Sequence, residues 1–332
     1  MQVIIYGPAI IASVAGFMSI MITTNLFGID AKWRIPVALI TIIAIGLMNF
    51  LKNNVAAAFS VITTIGKMIP ITAIIIFGLF WGHQDALGQT VSEVNRSTVG
   101  FGVAVLATLF GYDGWILITK AIILGISSVL VIYTLITIGI FRFVPANMIH
   151  SLGENTTSYL TTKAFGEIGG KLLSIGIIIS MMGTLNGKII TFPRLVYAMA
   201  RRGDLPFSRM LSYVTPKGKA PIIATVFIII LATIMMLFFD PDHLSYLCVF
   251  TIYCFYLMTV FGIFILRKKN KERPFSTPLY PLVPIIAIGG GIFVLISELF
   301  NDPAGVLLFV GIVVTGLPVL YVVKRMNSKR LK

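Results

Sequence analysis

Charged residues are scarce in this chain of 332 amino acids: they make up 11% of it, against roughly 25% in soluble domains. Hydrophobic residues make up 57%, and the mean hydropathy is +0.97. A soluble domain of this length must cover its surface with polar groups, so this composition excludes one. Lipid must surround most of the side chains, and the sequence predicts an integral membrane protein.

Cysteine, histidine and catalytic motifs are also rare or missing. The two cysteines, Cys248 and Cys254, lie in one apolar run, which excludes a disulfide framework and favours packing roles. The three histidines, His83, His150 and His243, lack the spacing of metal ligands. No HExxH, GxSxG or phosphate-binding glycine loop occurs. We therefore expect no enzyme, no metal site and no cofactor.

Long apolar runs dominate the sequence instead. Runs such as Ile71–Trp81 and Pro221–Phe239 are unbroken, whereas strands of a membrane β-barrel alternate apolar and polar residues. A helix needs roughly 20 apolar residues to cross about 30 Å of hydrocarbon, so we expect an all-α polytopic protein with about ten transmembrane helices. They form a single membrane domain, residues 1–332. The predicted spans are 3–25, 35–51, 61–81, 99–119, 121–144, 171–190, 221–239, 244–266, 279–299 and 305–323.

Lysine and arginine concentrate on one side of these spans. Alternate breaks and the C-terminal tail hold 19 basic residues with only Asp204 and Glu272, whereas the opposite breaks hold six basic and nine acidic residues. Basic loops stay on the cytoplasmic side, so we expect both termini in the cytoplasm and the chain in the cytoplasmic membrane. The basic cytoplasmic loops then account for the net charge of +14, and we expect no nucleic-acid partner.

Two breaks are longer than the others. Pro145–Gly170, on the predicted outer side, contains a Ser/Thr/Asn-rich stretch before a possible short helix. Phe192–Ala220, on the predicted inner side, carries four arginines at near-helical spacing: Arg194, Arg201, Arg202 and Arg209. We interpret the inner break as an interfacial helix held by anionic lipid head groups.

Lys67 is an ionisable residue inside a predicted span. It lies about six residues into the third span, roughly 9 Å deep at 1.5 Å per residue. Charges inside the membrane are costly and usually functional. The side chain either snorkels to the near interface or holds its ammonium as a fixed cation at the centre of the bundle, in place of a sodium ion. Ser180 and Thr184, one helical turn apart, either meet this ammonium or bond their own helix.

A second unusual segment lies in the middle of the fourth span: Phe110-Gly111-Tyr112-Asp113-Gly114-Trp115. Its two glycines and its acid cost helix stability in a membrane, which favours a broken helix whose freed backbone groups line a cavity. Transporters bind zwitterions at such breaks, where helix N-termini face the carboxylate and free carbonyls accept from the ammonium. The alternative is a packing kink in which Asp113 caps the second half-helix.

Four stretches resemble one transporter family. They are Gln2–Pro8 (QVIIYGP), Thr64–Pro70 (TIGKMIP), Leu109–Trp115 (LFGYDGW) and Leu185–Pro206 (LNGK, followed by PR and AMARRGDLP). Together they resemble the amino acid–polyamine–organocation superfamily. Within it they are most similar to the L-type amino acid transporter branch, including bacterial serine/threonine exchangers. The resemblance runs over the whole chain.

The resemblance implies a five-plus-five inverted-repeat fold of the LeuT type, here partial. It also implies sodium-independent exchange of small neutral L-amino acids, such as serine and threonine, by alternating access. Phe110 would be a gate over the substrate, and Gly111–Trp115 would be the broken sixth helix that supplies backbone groups. Lys67 would replace the sodium ion of related symporters. The resemblance leaves open whether a protein partner exists.

Two departures from the family pattern are expected. The first span matches the family's third, so the family's first two helices, with the other half of the substrate site, are expected to be missing. The cytoplasmic stretch that follows Trp115 in the family is absent, and Ile116–Thr119 runs almost directly into the next span. Two alternatives to exchange therefore stay open. One is a non-transporting fragment or scaffold, and the other is a proton-coupled symporter with Asp113 as relay.

Overall fold

A computed structural model describes residues 2–51, 53–82, 119–152, 156–215, 220–269 and 279–328. All regular elements in these ranges are helical, which confirms the predicted all-α class. The α-helices are α1 (Gly7–Ile20), α2 (Arg34–Leu51), α3 (Asn53–Trp81), α4 (Thr119–Phe143), α5 (Ala146–Leu152), α6 (Thr156–Arg201), α7 (Ser208–Leu211), α8 (Ile222–Phe238), α9 (Pro241–Lys269), α10 (Leu282–Asn301) and α11 (Pro303–Ser328). Turns of π-helix, Gln2–Tyr6 and Met21–Phe27, extend α1 at both ends, and a 3-10 turn, Ala31–Trp33, precedes α2.

Seven helical segments in the described ranges are long and apolar enough to cross a membrane. They are Gln2–Phe27, Ala31–Phe50, Ala58–Trp81, Leu124–Phe143, Thr162–Arg201, Pro241–Arg267 and Leu282–Asn301. The chain is therefore a polytopic membrane protein. Helices overlap nine of the ten predicted spans, and the remaining one, 99–119, lies outside the described residues except for Thr119. The bilayer crossing of each span and the inverted-repeat topology stay predictions.

α1 lies at the centre of the bundle because its side chains are apolar or small on every side. Most of its residues are buried, among them several glycines, alanines and serines. In a membrane, small residues let helix backbones approach closely, and α1 accordingly contacts α2, α6, α8 and α9. The Ser13 hydroxyl donates to the Pro241 carbonyl at 2.8 Å, and the Cys248 thiol donates to the Tyr6 carbonyl at 3.7 Å. These bonds join α1 to α9.

α6 continues past residue 190, where the predicted span ends. Buried apolar residues recur at helical spacing beyond that point, and they belong to the main core: Phe192, Val196 and Ala200. Pro193 removes one backbone donor but does not end the helix. The predicted break therefore does not begin at Phe192, because residues 192–201 continue α6. Arg194 and Arg201 lie on this extended end, whereas Arg202 and Arg209 follow it. Contact of these arginines with lipid head groups stays a prediction.

α6 is interrupted and ended by glycines with positive φ. Gly166, with φ 74°, separates residues 156–165 from residues 167–201. Gly203, with φ 76°, donates to the Ala200 carbonyl at 2.9 Å, and the Asp204 N–H donates to the Met199 carbonyl at 3.1 Å. This pair of bonds is a Schellman motif. The second segment is about 52 Å long at 1.5 Å per residue, so it extends beyond a hydrocarbon core about 30 Å thick.

α3 and α6 pack closely and antiparallel through glycines. A Cβ atom at Gly183 would lie 2.7 Å from the Cβ of Thr63 and closer still to its hydroxyl oxygen. A Cβ atom at Gly176 would lie 3.0 Å from the Cγ of Pro70. Position 183 therefore meets position 63 and position 176 meets position 70, which makes the two helices antiparallel. The missing side chains allow them to touch.

We expect Gly183→Ala to lower the melting temperature of the detergent-purified chain, because the added methyl group overlaps Thr63. Such overpacking costs about 1–3 kcal/mol. Gly187→Ala is the matched control, since a Cβ atom at that position on the same helix meets nothing within 4 Å. Alanine favours a helix over glycine by up to about 1 kcal/mol, so the control should keep or raise the melting temperature. An equal loss in both variants would contradict the described contact.

Candidate functional site

Lys67 lies on α3 beside the contact with α6. A Cβ atom at Gly66 would lie 3.6 Å from the Cγ2 of Ile179, so these two positions face each other. Lys67 follows Gly66 on α3, and Ser180 follows Ile179 on α6. Each of these single-residue steps turns its helix by about 100°. In an antiparallel pair both steps lead to the same flank of the contact. The register therefore places Lys67 and Ser180 on the same flank, within about 3 Å of each other along the helix axes.

The side chains at this flank differ in exposure and in bonding. Lys67 and Ser180 are half-buried, and Thr184 is exposed. The Thr184 hydroxyl donates to the Ser180 carbonyl at 3.1 Å, which is a bond within its own helix. Among the described residues, none forms a hydrogen bond or ion pair with the Lys67 ammonium. The joint role of Lys67, Ser180 and Thr184 at a cation position therefore stays a prediction.

The predicted substrate segment lies outside the described residues. Phe110, Gly111, Tyr112, Asp113, Gly114 and Trp115 all belong to the range 83–118. Their assignment to a broken helix that binds substrate therefore stays a prediction, as does the gating role of Phe110.

Asn186, in the LNGK stretch, forms hydrogen bonds to two neighbouring helices through its side-chain amide. The residue is fully buried. Its Nδ2 donates to the Ala56 carbonyl at 2.9 Å and to the Ser60 hydroxyl at 2.8 Å. Its Oδ1 accepts from the Nδ2 of Asn49 at 2.9 Å. One side chain on α6 therefore joins α2 and α3, and both of its amide hydrogens and its oxygen have partners.

The sequence contains a signal for this junction. Asn186 follows a long apolar run, and a polar side chain buried in a membrane protein must find hydrogen-bond partners. That signal predicts a buried polar junction. It does not say which helices take part, because Asn49 is 137 positions away in the chain.

Comparison with known proteins identifies the family. The profile of the amino acid permease family matches residues 1–323. The chain belongs to this family. The serine/threonine exchanger SteT of Bacillus subtilis (strain 168) is 43% identical over 346 aligned positions, which cover 98% of the chain and 78% of the exchanger. Since the alignment is longer than the chain, the exchanger has residues within the aligned region that this permease lacks. The family predicted from the four sequence stretches is confirmed.

More distant relatives in mammals are also named as amino acid transporters. The b(0,+)-type amino acid transporter 1 of Mus musculus is 28% identical over 79% of the chain. The large neutral amino acids transporter small subunit 2 of Homo sapiens is 28% identical over 78% of the chain. The permease spans 57% of the first protein and 52% of the second. It therefore spans little more than half the length of these two relatives.

We expect Asn186→Leu and Asn49→Leu each to lower the stability of the permease, because each leaves buried polar groups of neighbouring helices without a partner. A buried unsatisfied group costs about 1–3 kcal/mol. The double variant should lose less than the sum of the two single losses, since the residues share a bond. Thermal unfolding of the four proteins gives this coupling.

Asn25→Leu is the matched control for this series. The Asn25 amide bonds Met21 within the same helix, at 3.1 Å from the sulfur. Its replacement should therefore cost less than that of Asn186. Strictly additive losses for Asn186 and Asn49 would contradict the shared bond.

Proposed function

We propose that this permease exchanges small neutral L-amino acids, such as serine and threonine, across the cytoplasmic membrane without sodium and by alternating access. The observation that carries the proposal is the 43% identity with a serine/threonine exchanger over 98% of the chain. Membership of the amino acid permease family supports amino-acid transport in general. The choice of exchange and of small substrates rests on the name of the bacterial relative.

Lys67 supplies a fixed positive charge in this proposal. Its ammonium stays covalently attached to α3, so no sodium ion has to bind and leave during the cycle. The close contact between α3 and α6 supports this role, because it keeps Lys67 on the same flank as Ser180. The Ser180 hydroxyl has an oxygen that accepts a hydrogen bond from an ammonium at this flank.

The substrate contacts of the proposal belong to Gly111–Trp115. Free carbonyls of a broken helix accept from the amino group of the substrate, and an N-terminal half-helix end faces its carboxylate. Phe110 covers the bound amino acid. Both termini lie in the cytoplasm. The exposed Arg201, at the end of α6, and Arg202, directly after it, support this orientation.

Counterflow in proteoliposomes tests this function. Labelled L-serine outside the vesicles should accumulate only when unlabelled L-serine or L-threonine is present inside, because exchange requires a substrate on both sides. Replacing external sodium by choline should leave the rate unchanged. No uptake by folded, inserted protein would contradict exchange. Uptake into amino-acid-free vesicles that follows an imposed pH gradient would support the proton-coupled alternative instead.

Replacing Lys67 tests the fixed-cation role. Lys67→Met keeps the length of the side chain but removes its charge, and we expect the counterflow rate to fall at least about tenfold, the scale of one charge-assisted hydrogen bond. Lys171→Met is the matched control, because Lys171 is exposed and pairs with Glu167 on the surface at 3.2 Å. Exchange at the wild-type rate in Lys67→Met would contradict the role.

A further inference from the structure

A cleft of about 300 Å³ opens at one end of the bundle, between the end of α1, the start of α2 and the turn from α8 to α9. Its walls combine polar groups with apolar side chains, among them Ile20, Ile35, Met236 and Phe239. Phe238 also lines it and is 76% exposed. The neighbouring Trp33 is exposed as well, and tryptophan is enriched where a membrane meets water.

Two opposite charges line the same cleft without pairing. Arg34 and Asp240 both belong to its wall, yet no ion pair joins them. The Nε of Arg34 is buried and lacks a hydrogen-bond partner, whereas one terminal nitrogen donates to the Thr24 hydroxyl at 3.2 Å. Arg34 as a whole is only half-buried, and its bond to Thr24 is the one hydrogen bond of its guanidinium among the described residues. The cleft therefore offers an anion a positively charged group that Asp240 does not neutralise.

We propose that this cleft binds a zwitterionic aminophospholipid of the phosphatidylethanolamine class. The phosphate accepts from the guanidinium of Arg34, a geometry that suits arginine. The primary ammonium of the head group lies toward the Asp240 carboxylate, and an acyl chain follows the apolar wall. An anionic lipid would match Arg34 but would place its net negative charge near Asp240. A choline head group would lack the N–H donors that a carboxylate accepts from.

The position of the cleft separates a lipid from a free amino acid. Both carry an anion and an ammonium, but a small polar amino acid gains little from a wall of isoleucine, methionine and phenylalanine side chains. An acyl chain of a bilayer lipid suits that wall, because it is apolar and can pack against these side chains. The cleft also lies at the end of the helices, at the depth where lipid head groups meet the protein. The proposal is independent of the transport function.

Native mass spectrometry of the purified permease in detergent tests the site. Phosphatidylethanolamine, phosphatidylcholine and phosphatidylglycerol with identical acyl chains are titrated separately. We expect phosphatidylethanolamine to bind most tightly. Arg34→Gln should weaken its binding about tenfold, the scale of a lost charge-assisted hydrogen bond. Asp240→Asn should remove the preference for phosphatidylethanolamine over phosphatidylglycerol.

The matched controls are Lys32→Gln and Asp30→Asn. These two residues pair with each other at 3.0 Å, are exposed and lie outside the cleft lining. Both controls should bind lipid as the wild type does. Arg34→Lys keeps the positive charge but has fewer hydrogen-bond donors, so it should bind the lipid with intermediate affinity. This second variant tests the site even if Arg34→Gln does not fold.

Three outcomes would overturn the proposal. The first is equal binding of the three lipids by the wild type. The second is unchanged phosphatidylethanolamine binding in folded Arg34→Gln. The third is stabilisation of the wild type by L-serine, in place of lipid, that is lost in Arg34→Gln, because it would assign the cleft to a free amino acid.

Discussion

Close contact between α3 and α6 is the constraint on which the arrangement of the other helices around the candidate site depends. In lipid, the hydrophobic effect does not draw helices together, so van der Waals packing and internal hydrogen bonds must do so. Gly176 and Gly183 provide the packing, since they bring the two backbones within reach of Pro70 and Thr63. Asn186 adds the hydrogen bonds and extends the contact to α2.

This contact also sets the surroundings of Lys67. A lysine inside a span is informative only when its neighbours are known, and the antiparallel register supplies them by placing Lys67 on the same flank as Ser180. The amide junction at Asn186 joins the same two helices about one to two turns away from this flank. The cleft around Arg34 and Asp240 lies at the end of the bundle, so lipid binding there leaves the region around Lys67 unobstructed.

Much of the fold was predictable because helix formation in lipid is a local property. Unbroken apolar runs predicted helices that the structure contains, and the four family stretches predicted the permease family correctly. The helix that contains the predicted span 171–190 continues to Arg201, because charged residues on one face do not end a helix whose other face stays apolar. Arg194 is exposed on a helix whose opposite face continues through Phe192, Val196 and Ala200 in the core. Gly203, which ends that helix, was the better signal. The broken substrate-binding helix at Phe110–Trp115 remains a prediction from sequence.

The sequence by itself determined that this is a helical protein surrounded by lipid, and it determined the family. These depend on the composition and order of neighbouring residues, because the free energy of transfer into lipid is a property of each side chain and its segment. Only the tertiary structure decided that Asn186 joins three helices and that α3 and α6 meet at glycines. It also decided that Arg34 and Asp240 share one cleft. Such contacts join positions far apart in the chain, and their partners follow from helix register, which hydropathy does not specify.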